Sequence, residues 1–133
     1  MDHIPKIIIR VIDPNNQRYP TCGDWLYDAE DEILEIRISR MPDWKSELAV
    51  AIHEAVEAVE CLDKDISEAE VTAFDLMFEK ERDDGKHGEA DEAGDDKRAP
   101  YHRAHVHATF VEKEVCAQLE LSWDEHDKNV NEA

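Results

Sequence analysis

The chain opens in an extended rhythm. Lys6 to Ile12 (KIIIRVI) is a β-branched run closed by Asp13-Pro14-Asn15-Asn16, residues that favour a turn through their side-chain acceptors and the fixed φ of proline. A second extended piece, Cys22 to Tyr27, leads into the acidic turn Asp28-Ala29-Glu30-Asp31. Beyond it, Ile33, Leu34, Ile36 and Ile38 largely alternate with Glu35, Arg37 and Ser39, the period of a half-buried strand. The last two strands are expected to pair as a hairpin. The opening third therefore reads as a small, mostly antiparallel sheet.

Pro42 marks a change to helical periodicity. One helix is predicted from Trp44 or Lys45 to Cys61, with no Gly or Pro inside it. A second starts at Ser67-Glu68-Ala69-Glu70, a capping box in which Ser67 accepts from the Glu70 amide and Glu70 reaches back. Its inward face carries Val71, Phe74 and Phe78. Asp83 to Ala99 is rich in acids and holds Gly85, Gly88 and Gly94. It reads as an acidic, mobile surface loop, and it lacks the carboxylate register of an EF-hand. A third helix runs from near Pro100, suited to a first turn, to about Leu119, and a tail with Trp123 follows. No internal repeat is visible. The expected fold is one α+β domain over residues 1–133, with the sheet first and three helices after it.

Composition narrows the function classes. Asp and Glu number 34 against 15 Lys and Arg, a net charge of −19. With 41% hydrophobic residues in 133, the chain is long enough for one core and too apolar to be simply disordered. This charge repels phosphate backbones and anionic lipid, so neither direct nucleic-acid binding nor membrane attachment is expected. No apolar run approaches the roughly 20 residues of a bilayer span. The stretch from Met1 to Asp13 has no basic leader or small-residue cleavage site and is not expected to be a signal peptide. Cys22, Cys61 and Cys116 are odd in number, widely spaced and without a C-x-x-C pair. They read as reduced thiols of a cytoplasmic protein, and acidic neighbours on their helices should hold the pKa values of Cys61 and Cys116 up.

The segment that can carry chemistry is His53-Glu54-Ala55-Val56-Glu57, an H-E-x-x-E variant of the H-E-x-x-H metallohydrolase helix. Residues at i and i+4 share a helical face, so His53 and Glu57 can hold one metal ion, both being ligand types that suit zinc. Glu54, one position on, is then the candidate general base that takes a proton from attacking water. About 0.2 chance matches are expected in a chain this acidic, so the motif alone is weak. Its wheel is also that of an ordinary amphipathic helix, with Leu48, Ile52, Ala55, Val56 and Val59 opposite a solvated face of His53, Glu54 and Glu57.

The third helix changes the balance. His105 and Glu112 fall inside its apolar stripe of Tyr101, Ala104, Ala108, Val111, Val115, Cys116 and Leu119. Polar groups at a core edge need a partner, so His105 is either a third metal ligand or a core histidine satisfied by a carboxylate. Glu112 is a candidate for an additional ligand or for a residue that orients one. Asp75 is a second candidate for orienting a ligand histidine. His102 and His107 point elsewhere and read as surface residues.

As a composite, the chain resembles the small, uncharacterised bacteriophage and prophage proteins built around a zincin-like H-E-x-x-E helix. The resemblance covers most of the chain from about Arg18. It runs through Gly23-Asp24-Trp25, Met41-Pro42-Asp43-Trp44, His53-Glu54 with Glu57, Phe74-Asp75, Gly94-Asp95, Pro100-Tyr101, His105, Glu112 and Leu119 to Trp123. A weaker similarity to zincin metallopeptidases implies a mechanism: His53 as ligand, Glu54 as base and a downstream third ligand. It implies zinc as cofactor, a peptide or protein as substrate and, for a phage protein, the host cytoplasm as its location. Glu57 departs from that pattern by standing where those peptidases have a second histidine. A degenerate, non-catalytic relative used as a binding module is also consistent with the motif.

Two other classes stay open on sequence. An acidic interaction protein, imitating nucleic-acid phosphates to inhibit a basic protein partner, fits the charge. A helical, magnesium-dependent nucleotide pyrophosphatase fits Glu54-Ala55-Val56-Glu57, although Glu70 and Asp75 do not complete its E-x-x-D element. A di-iron bundle is disfavoured, since no histidine has a Glu three places before it.

Overall fold

The computed structural model describes residues 6–133. Met1 to Pro5, where the stretch weighed as a leader begins, lie outside the described residues. Three strands, β1 (Lys6–Ile12), β2 (Gly23–Asp28) and β3 (Ile33–Ser39), precede four helices, α1 (Trp44–Asp63), α2 (Glu68–Asp83), α3 (His102–Gln118) and α4 (Trp123–Asn131). Short 3-10 turns occupy Pro14–Asn16 and Ala93–Asp95. The architecture is α+β. No helix among the described residues is long and apolar enough to cross a membrane.

The sheet is mixed, not mostly antiparallel. β2 and β3 form the expected antiparallel hairpin, with Trp25 opposite Ile36. β1 instead pairs with β3 in parallel, Ile9 opposite Ile36, giving the order β1-β3-β2. The stretch between β1 and β2 explains the difference. It crosses the end of the sheet, so β2 leaves an empty slot beside β1 and the hairpin returns β3 into it. Bonds from the Arg40 amide to Ile12 O (2.8 Å) and from the Ser39 amide to Cys22 O (2.7 Å) close this end. Strand periodicity marks which residues are extended, but it does not encode their partners.

α1 starts at Asp43, whose side chain accepts from the Lys45 amide. α2 carries the expected capping box, and it buries Val71, Phe74 and Phe78. The core packs Trp25, Leu34, Ile36 and Ile38 of the sheet against Val50, Ala51, Ala58 and Cys61 of α1. The small residues Ala51 and Ala58 let the helix approach the sheet closely.

The orientation of α1 overturns the amphipathic reading. Leu48 and Val59, in the middle of the apolar arc, remain 39% and 40% exposed, whereas His53, Glu54 and Glu57 are only 6%, 9% and 5% exposed. The ionisable face points inward, towards α3 and β2. Burying such groups costs several kcal/mol each unless they are paired or bind a cation, so the inward face needs a chemical reason.

The chain after α3 is a fourth helix rather than a tail. Ser122 caps it by accepting from the Glu125 amide, and the helix buries His126 and Asn129. The Trp123 ring lies 5.2 Å from that of His126, and Lys113 Nζ sits 5.0 Å above the Trp123 ring.

Candidate metal centre

Three elements meet at the buried face of α1. α1 supplies His53, Glu54 and Glu57, α3 supplies His105 and Glu112, and the turn around Gly94 closes the site from above. His53 Nε2 lies 3.2 Å from Glu57 Oε2, and His105 Nδ1 lies 3.0 Å from the same oxygen. The two imidazole rings meet edge to face at 4.8 Å. One nitrogen from each histidine and a Glu57 oxygen fall within 4.8 Å of one another. This buried His-Glu-His group can hold a metal ion, and its two imidazoles and one carboxylate make a donor set used by catalytic zinc.

The outward nitrogens are backed by carboxylates. His105 Nε2 is 3.0 Å from Glu92 Oε2 and 3.3 Å from Asp95 Oδ1. His53 Nδ1 is 2.7 Å from Glu112 Oε1. That contact is close but poorly aligned with the ring N–H, so Nδ1 is buried without a well-formed hydrogen bond. An imidazole with one nitrogen facing the cluster and the other facing a carboxylate is the usual setting of a metal-ligating histidine. The unsatisfied Nδ1 marks a ring whose orientation the hydrogen bonds alone do not complete.

Two glycines make room for these side chains. A Cβ on Gly23 would lie 2.7 Å from Glu54 Oε1 and 2.9 Å from Val50 Cγ1, and one on Gly94 would lie 2.2 Å from His105 Cγ. His102 Nδ1, 2.9 Å from Gly94 O, pins that turn to α3, so His102 is half-buried rather than a free surface residue. His107 is exposed beside Glu60.

Glu54 lines a cleft of about 720 Å³ that also reaches Tyr19, Trp25, Asp75 and the His53-Glu57-His105 group. Burial, then repulsion from Glu57, raises the Glu54 carboxyl well above the ordinary range. Burial also works against ionising Glu57, but hydrogen bonds from His105 and His53 outweigh it and hold this carboxylate low. Glu112 is held low in the same way by His126 and His53. Cys61 and Cys116 follow the expected direction, for burial and nearby carboxylates push them up to about 12 and about 11, and Cys22 is likewise pushed up to about 12.

Asp75 does not orient a histidine. It accepts from Tyr19 OH at 2.7 Å and from Tyr101 OH, and burial raises its pKa to about 6 against those two hydrogen bonds. The sequence reading also took Asp83 to Ala99 as surface. Gly94 within it is buried, and Glu92 and Asp95 reach His105. Arg82 bonds to the carbonyls of Gly88 and Asp91 and so holds the loop against α2. Sequence reasoning missed Glu92, Asp95, Ser46 and His126. For the first two, the acids flanking Gly94 were the available signal. Ser46 and His126 lie on different helices with no motif to join them.

Comparison with family models, curated proteins and solved structures returned no match. The functional reading therefore rests on the site itself.

Proposed function

We propose that this protein is a zincin-like metal-binding protein, related to the phage group it resembles, and that it acts as a metal-dependent hydrolase of peptides. The observation that supports this reading is the inverted α1, which carries three ionisable groups inward to meet His105 while leaving its apolar arc half exposed. His53, Glu57 and His105 would hold zinc. When bound, the ion would supply Lewis acidity towards a substrate carbonyl. Glu54 has no hydrogen-bond partner among the described residues and faces the same cleft, so its carboxyl is free to hold or release a proton there. A cation beside it favours its ionised form, the form required of a general base. Tyr19 and Tyr101 fix Asp75 on the cleft wall. Glu70, which the pyrophosphatase reading would recruit for magnesium, is taken by the Ser67 capping box.

Elemental analysis of protein purified without chelator or histidine tag, beside His53→Ala, tests the metal. Near-stoichiometric zinc that disappears in the variant is the expected result. Absence of metal from both, even after zinc is added back, overturns the reading. Glu54→Gln should keep the metal and lower peptide hydrolysis by about 100-fold or more. Equal turnover by that variant would remove Glu54 from the mechanism. Replacing Asp83 to Ala99 with a short Gly-Ser linker deletes Glu92, Gly94 and Asp95. Helical circular dichroism should persist while metal affinity drops, and undiminished affinity would show that these groups do not support His105.

A further inference from the structure

His126 on α4 is fully buried, yet it is not a member of the metal-binding group. Its Nε2 lies 2.5 Å from Glu112 Oε2, its Nδ1 lies 3.0 Å from Ser46 Oγ, and Asn129 Nδ2 donates to that same Oγ at 3.0 Å. Glu112 then presents its other oxygen, Oε1, to His53 Nδ1 at 2.7 Å. One continuous chain of polar groups therefore runs from α4, through α1 and α3, to the candidate ligand His53.

The donors and acceptors give this chain a direction. The Asn129 amide nitrogen can only donate, so Ser46 Oγ accepts from it and turns its own hydrogen to His126 Nδ1. The His126 ring hydrogen then sits on Nε2 and is donated to Glu112. A carboxylate only accepts, so in the metal-free protein His53 Nε2 keeps a hydrogen for Glu57, and Glu112 beside Nδ1 favours a hydrogen there too. A cation that displaced the Nε2 hydrogen would find the ring in the Nδ1–H tautomer. Shape alone does not call for such groups, because an apolar side chain would fill the same core position without the desolvation cost of a buried polar chain.

We infer that His126, held by Ser46 and Asn129, is a positioning residue that acts through Glu112 to set the tautomer and ring orientation of His53, and so tunes the affinity of the site for a divalent cation. The inference rests on the reading of His53 as a ligand. It assigns α4 a role in the site, although no α4 side chain belongs to the metal-binding group.

The test compares the 133-residue chain with its His126→Phe, His126→Gln and Ser46→Ala variants. Zinc affinity is measured by competition with a chromophoric chelator, and the visible spectrum of the cobalt(II)-loaded protein reports ligand geometry. His126→Phe should weaken binding 10- to 100-fold, the range seen when a partner behind a metal ligand is removed, and should alter the cobalt spectrum. His126→Gln keeps a donor for Glu112 and should recover part of the loss. Unchanged affinity in folded His126→Phe overturns the inference. Should that variant fail to fold, Ser46→Ala removes a single hydroxyl, and wild-type affinity there overturns it equally. If the wild type takes up no metal, it is the ligand reading that fails. The nitrogen-15 shifts of the His53 ring in metal-free protein then decide the positioning role, which is refuted if His126→Phe leaves them unmoved.

Discussion

Gly94→Ala is expected to abolish metal binding while leaving most of the chain folded. The added Cβ would lie 2.2 Å from His105 Cγ, 2.3 Å from Nδ1 and 2.7 Å from Cδ2, well inside van der Waals contact. The ring has nowhere to retreat, because Nδ1 is held at Glu57 and Nε2 at Glu92 and Asp95. Either His105 swings out of the cluster, or the turn around Gly94 lifts and carries Glu92 and Asp95 with it. The first route removes one of two imidazoles from the donor set, and the second strips His105 Nε2 of the carboxylates that hold the ring in place. Overpacking of this kind costs about 1–3 kcal/mol, a loss of several degrees in melting temperature for a chain of this size. Gly88→Ala is the matched control, since its Cβ would meet Asp91 at an ordinary 3.5 Å. Metal content and melting temperature measured on the two variants separate site geometry from a general loss of glycine. Full metal content in Gly94→Ala would place His105 outside the binding site.

That prediction turns on a residue whose sequence neighbours gave little warning, and the reason is physical. Local signals were legible. The alternation of Ile33 to Ser39 and the Ser67 capping box are each written within a few residues, and both appear in the structure. The placement of His105 and Glu112 in an apolar stripe was legible too, because a helical wheel needs no tertiary information, and both side chains are buried.

What depends on distant partners was not legible. A wheel shows that the two faces of α1 differ, but only α3 and the sheet decide which face turns inward. α4 escaped because its buried face is His126 and Asn129 rather than an apolar stripe. Its one readable start signal was the Ser122-Trp123-Asp124-Glu125 cap, the same pattern as at Ser67. The loop before α3 was read from its composition as solvated, whereas its acids are partly attached to His105. Its charge described the residues correctly without revealing where they point.

Affinity for zinc should rise by up to about 100-fold per pH unit between pH 6 and 8.5. Burial disfavours a charged His53, but the facing carboxylates of Glu112 and Glu57 outweigh it and raise the pKa to about 10. Burial likewise opposes charge on His105, and Asp95, Glu57 and Glu92 together lift its pKa to about 12. Both imidazoles are therefore protonated in the metal-free protein across this range, and a metal ion binds only as each gives up a proton. Two protons released per ion give the predicted slope, and calorimetry in buffers of different ionisation enthalpy counts them directly.

The same shifts set the metal-free stability. Because the folded imidazole pKa values are raised, their contribution is complete below about 6.5, the unperturbed value, and disappears as pH climbs through 10 to 12. Glu57, held low at about 2, contributes in full above its ordinary value near 4.5 and loses that contribution as pH falls from there through about 2. Metal-free protein should thus melt highest between about pH 5 and 6.5, whereas the zinc complex should gain stability above that window. A zinc affinity that stays flat from pH 6 to 8.5 would show that no imidazole proton is displaced, and the His53-Glu57-His105 group would then be an ion-paired core cluster. A slope of two would mean that a divalent cation replaces two protons at constant charge, an exchange that the carboxylates surrounding both histidines are arranged to accept.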